Sequence, residues 1–68
     1  MRGDPLAGIR ALVLAGAVNV AEAAVAWEQS GGDVYLAVKV RVATREYVKL
    51  RESLAEMTAQ LAEIERGD

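Results

Sequence analysis

The chain has no cysteine, no histidine and no phenylalanine, one proline, and only three aromatic rings among its 68 residues. Each absence excludes something. Without cysteine there is no disulfide, and without cysteine or histidine there is no zinc staple of the usual kind to stiffen a small fold. The same gaps remove residues most often used as general bases, nucleophiles and transition-metal ligands. A chain this short forms a single domain, here spanning 1–68, and buries only about 60% of its unfolded surface. Lacking staples, such a core is marginal alone, and association with further copies is the natural remedy.

What is present is apolar surface: 53% of residues are hydrophobic, against a formal net charge of −2. That balance gives no global pull toward nucleic acid or anionic lipid. The charge is unevenly spread. Lys39, Arg41, Arg45, Lys49 and Arg51 against Glu46 make residues 39–51 basic, and Glu52, Glu56, Glu63, Glu65 and Asp68 against Arg66 make residues 52–68 acidic. Such blocks can neutralise one another between copies.

The uncharged run ALVLAGAVNVA at 11–21 has the look of a signal-peptide core. Cleavage near Ala24 or Ala26 would leave too little chain for most folds, and Asp4 and Pro5 precede it, so no signal is expected. A membrane span needs about 20 apolar residues. Arg10, Asn19 and Glu22 interrupt the only candidate, so no span is expected and a cytoplasmic location is assumed.

Three segments follow the short polar arm Met1–Asp4. Asp4-Pro5 reads as a helix start, with Asp as N-cap and Pro at the first helical position. From about 6 to 29, Leu6, Ile9, Val13, Gly16, Val20, Ala23 and Trp27 recur at alternating spacings of three and four, a heptad seam. Leu12, Val18 and Val25 widen that surface beyond one partner's reach. Ser30-Gly31-Gly32-Asp33 breaks the helix. Val34, Leu36, Val38, Val40 and Val42 then alternate with Tyr35, Ala37, Lys39 and Arg41, which predicts a strand over about 34–42. Thr44 is the expected cap of a last helix over about 44–66, with Tyr47, Leu50, Leu54, Met57, Leu61 and Ile64 as a coiled-coil seam and Gly67 as its stop.

The expected fold is therefore α+β but mostly helical: a helix–strand–helix protomer whose single strand pairs with a second copy in an antiparallel ribbon. The alternative is a helix–β-hairpin–helix, with residues 17–29 extended as the strand's partner.

Chemistry is sparse. Glu22 with Glu28, and Glu52 with Glu56, are carboxylate pairs whose plain reading is a solvated helix face. Gly31-Gly32 lacks the Lys-Ser/Thr of a phosphate loop, and Ser30 and Ser53 have no histidine to activate them. No catalysis, cofactor or metal is expected. Asn19 reads either as a register-fixing polar group in a helical interface or as the solvent edge of the apolar stripe. On the outward strand face, Lys39 and Arg41, with Thr44 and Arg45 just beyond, are the candidate nucleic-acid contacts.

The run VKVRVATREYVKLRESLA from Val38 resembles the strand and first helix of ribbon-helix-helix DNA-binding proteins. That likeness implies a dimeric ribbon presenting Ala37, Lys39 and Arg41 to the major groove, with Thr44 near a phosphate. It covers about twenty residues. LAVKVRVATREYVKLRESLAEM is also similar to the second strand and following helix of the gas vesicle major shell protein, which implies a shell subunit assembled by strand pairing.

The reading that ranks first is a non-catalytic, homo-oligomeric structural, scaffolding or adaptor protein, a dimer or higher, within a larger assembly. A DNA-binding regulator ranks second and a gas-vesicle-like shell subunit third. The interface between copies is expected at Ile9, Val13, Val20, Trp27, Val38, Val40, Leu50, Leu54, Met57, Leu61 and Ile64. Leu54→Asp or Val38→Asp should then destroy assembly, whereas alanine at Lys39 and Arg41 should be tolerated.

Overall fold

The structure, a computed structural model, describes residues 3–67; Met1 and Arg2 of the polar arm, and Asp68 of the acidic tail, lie outside them. Two helices account for nearly all of it: α1, Ala7–Gln29, and α2, Val34–Arg66. They fold back on one another as an antiparallel helical hairpin measuring 55 × 22 × 11 Å. At 1.5 Å per residue, α1 is about 35 Å long and α2 about 50 Å.

The turn is built from four residues. Gly31 and Gly32 take φ of 78° and 98°, where a side chain would be strained. Their amides satisfy the last carbonyls of α1: Gly31 N–H donates to Glu28 O at 3.2 Å and Gly32 N–H to Trp27 O at 3.3 Å. The Ser30 hydroxyl ties both sides together. It donates to Trp27 O at 2.6 Å and accepts from Asp33 N–H at 3.0 Å. Asp33 in turn caps α2, its Oδ1 accepting from Tyr35 N–H at 2.8 Å and Leu36 N–H at 3.3 Å. Breaker, cap and helix start are thus contiguous.

At the open end, Asp4 accepts from Leu6 N–H at 2.9 Å and pairs with Arg10. Pro5 and Leu6 form a turn before α1 begins at Ala7, so Asp4 holds the entry from two residues before the N-cap position, Leu6. At the far end of α2, Gly67 N–H donates to Glu63 O, and Arg66 lies in the last turn, where a cation suits the helix dipole.

There is no strand among the described residues, so the helix–strand–helix α+β fold does not hold. Neither does the antiparallel ribbon of two copies, nor the helix–β-hairpin–helix alternative: residues 34–42 form the first turns of α2, and 17–29 belong to α1. Three physical reasons account for it. The alternating run also contains a helical spacing, because Leu36, Val40, Ala43 and Tyr47 lead at three and four into Leu50 and Leu54. The seam of the last helix therefore begins about two turns before Thr44. Second, Asp33 supplies the cap expected of Thr44, whose hydroxyl instead donates to Val40 O at 2.7 Å inside the helix. Third, a lone strand leaves a row of unpaired backbone groups, whereas a helix satisfies its own. Against these stands only the modest helix propensity of four valines, about 0.5 kcal/mol each relative to alanine.

The helical phase redistributes the valine row. Leu36 and Val40 turn toward α1 and are half-buried, while Val34 and Val38 turn outward, 79% and 51% exposed. The inward stripe opposite is Leu6, just before α1, with Ile9, Val13, Gly16, Val20 and Ala23 of α1. Gly16 marks a close approach: a Cβ there would lie 3.6 Å from Tyr47 Cα and 3.3 Å from Leu50 Cδ1. That contact sets the register, and it carries the end of α2, with Ile64, past the start of α1.

Candidate self-association surface

Burial is slight throughout. Among the described residues only Leu6 and Ala43 are buried, each 6% exposed, and none of α1's residues from Ala7 to Gln29 is. Yet α1 is apolar around most of its circumference, broken only by Arg10, Asn19, Glu22, Glu28 and Gln29. A helix of that kind is normally surrounded on all sides. Here α2 covers one side.

At 100° per residue, the side of α1 facing away from α2 carries Ala7, Ala11, Leu14, Val18, Ala21 and Val25, again at spacings of four and three. Leu14 is 67% exposed, Val18 50% and Val25 52%. Between this outer stripe and α2 runs an open groove lined by Ala15, Asn19 and Glu22 of α1 and by Lys39, Val42 and Glu46 of α2. Asn19 is exposed at the edge of that groove, the second of the two settings its sequence context allows. Among the described residues no three acidic side chains converge as a metal site.

The residues expected to join copies divide into two sets. Ile9, Val13, Val20, Val40, Leu50, Leu54 and Leu61 are half-buried along the stripes by which α1 and α2 face each other. Trp27, Val38, Met57 and Ile64 are exposed large apolar side chains. Leu14 was absent from the expected set. The signal that finds it is the second run of four-and-three spacing in α1, through Ala11, Leu14, Val18, Ala21 and Val25.

Of the candidate nucleic-acid contacts, Arg41 and Arg45 stand one turn apart on α2, while Lys39 is separated from them. Two residues apart on a strand share a face, but on a helix they point about 160° apart. Lys39 lies beside the groove, 5.5 Å from the Tyr35 ring centroid. Arg41 and Arg45 lie on the outward side of α2, and the Thr44 hydroxyl is engaged with Val40 O. Without a ribbon, the geometry implied by the ribbon-helix-helix likeness is missing, as is the strand pairing implied by the shell-protein likeness.

No protein family, curated protein or solved structure matches this chain.

Proposed function

We propose that the chain is a non-catalytic structural or adaptor protein that acts by self-association, with further copies covering the side of α1 that α2 leaves open. One observation carries this reading: α1 is apolar nearly all round, and none of its residues is buried. A helical hairpin is half of a four-helix bundle, and a second hairpin completes the core that one cannot close.

By length and composition α1 also suffices to cross a membrane. The closed hairpin opposes that use. α2 lies along α1 carrying Lys39, Arg41, Arg45, Glu46, Lys49, Arg51, Glu52 and Glu56, and a charge at the centre of a bilayer costs at least about 2.5 kcal/mol. A spanning α1 must leave α2 behind. A second copy leaves the hairpin closed.

Sedimentation equilibrium from micromolar to millimolar concentration, repeated with a mixed-sequence DNA duplex and with anionic lipid vesicles, tests the proposal. A defined multimer indifferent to both additions is expected. A monomer across the range, or a chain taken up by vesicles as a monomer, overturns it.

A further inference from the structure

Resting on the self-association reading, we infer that the outer stripe of α1 pairs antiparallel with the same stripe of a second copy, clasped at both ends by Arg10 of one chain and Glu28 of the other. Arg10 and Glu28 are 18 residues apart, which is five full turns at 3.6 residues each. They therefore lie on one line of the helix, about 27 Å apart, opposite in sign. Between them on that flank stand only Leu14, Ala17, Ala21 and Ala24, with Val18 and Val25 alongside.

Self-complementarity follows from that order. When a second α1 is laid antiparallel so that Arg10 meets the second copy's Glu28, Leu14 falls level with the second copy's Ala24 and Ala17 level with its Ala21. Leu14 thus meets a smaller residue, and the two-fold axis repeats every contact. A parallel pair instead sets Arg10 against Arg10 and Glu28 against Glu28.

The placement of the charges points the same way. A cation in the first turn of a helix and an anion in its last both oppose the helix dipole. α1 has Arg10 in its first turn and Glu28 in its last, with no acidic residue in the first and no basic residue in the last. Within the chain, Asp4 pairs with Arg10 and the start of α2 lies near Glu28. An antiparallel second α1 brings a compensating dipole end and a compensating side chain to both positions at once.

The test is charge exchange, read by sedimentation equilibrium with helicity checked by circular dichroism. Arg10→Glu and Glu28→Arg each place like charges at both clasps and improve the match to α1's own dipole; because Arg10→Glu also removes the pair with Asp4, circular dichroism checks that the hairpin itself stays folded. Each single variant should weaken association about tenfold, since both exposed pairs turn from attractive to repulsive. The double exchange, Arg10→Glu with Glu28→Arg, should restore wild-type affinity, and so should mixing the two single variants. Multimers indifferent to either exchange, or a double exchange as weak as the singles, overturn this pairing while leaving self-association standing. A wild-type chain that stays monomeric overturns both.

Discussion

Replacing Gly16 tests the close approach of the two helices at this point, because it sets a helix-propensity gain against a steric cost whose atoms are known. Glycine within a helix costs up to about 1 kcal/mol relative to alanine. In Gly16→Ala the new methyl meets Leu50 Cδ1 at 3.3 Å, Tyr47 Cδ1 at 3.4 Å and Tyr47 Cα at 3.6 Å. The backbone distance is ordinary contact. Of the two shorter ones, Leu50 Cδ1 is a side-chain end and Tyr47 Cδ1 a ring carbon; both residues are half-buried, and a shift of a few tenths of an ångström relieves both contacts. The gain should therefore win, leaving Gly16→Ala more stable by about 0.5 kcal/mol.

Gly16→Leu should reverse the sign. Its branch has to enter space already held by Tyr47 and Leu50, and overpacking of this kind costs about 1–3 kcal/mol. The two variants should differ by about 2 kcal/mol, a separation of roughly 10 °C in melting temperature for a chain this size. Thermal circular dichroism at one fixed protein concentration reads it, since association raises apparent stability. A Gly16→Leu variant as stable as Gly16→Ala would show that α1 and α2 do not approach at this point, and the hairpin register would fall with it.

Two further substitutions separate helix from strand over residues 34–42. Val34→Asp should change stability by less than about 0.5 kcal/mol, because it stands exposed in the first turn of α2, where an acid suits the dipole. Leu36→Asp, on the inward side, should cost about 2 kcal/mol or more in urea titration. On a strand both residues share one face, so equal costs would refute the helical phase. Asp33→Ala should cost about 1 kcal/mol and reduce helical ellipticity, because it removes the acceptor for the Tyr35 and Leu36 amides. An unchanged ellipticity would mean that α2 does not depend on this cap.

The sequence announces the breaks in this fold better than its middle. Adjacent glycines at 31 and 32 mark the turn because little else takes positive φ cheaply, and the heptad spacing from Leu6 marks α1. Residues 34–42 mislead because valines at every second position satisfy a strand period while Leu36, Val40 and Ala43 satisfy a helical one. Asp33 resolves the ambiguity, since an aspartate directly after two glycines is a strong N-cap. Reading Thr44 as the cap instead conceals three turns of helix. That shift also undoes the grouping of Lys39 with Arg41, whose common face existed only on a strand. The open apolar surface was legible in part: Val18 and Val25 stand out as excess to one seam, whereas Leu14 shows only in the second run of four-and-three spacing through Ala11, Val18, Ala21 and Val25.

Helix segments nearest the Ser30–Asp33 turn are neighbours in sequence, with Trp27 and Leu36 only about nine positions apart, while Leu6 must meet residues about fifty positions away. Loop-closure entropy grows with that separation, so contacts beside the turn form first and the hairpin zips outward from it. The open end closes last and, by the same ordering, exchanges its amide protons first. A chain zipped only halfway already displays Val18 and Val25 to solvent. Under the self-association proposed above, encounter with another copy then precedes complete closure, and the rate of folding is expected to depend on concentration even though every backbone hydrogen bond is local.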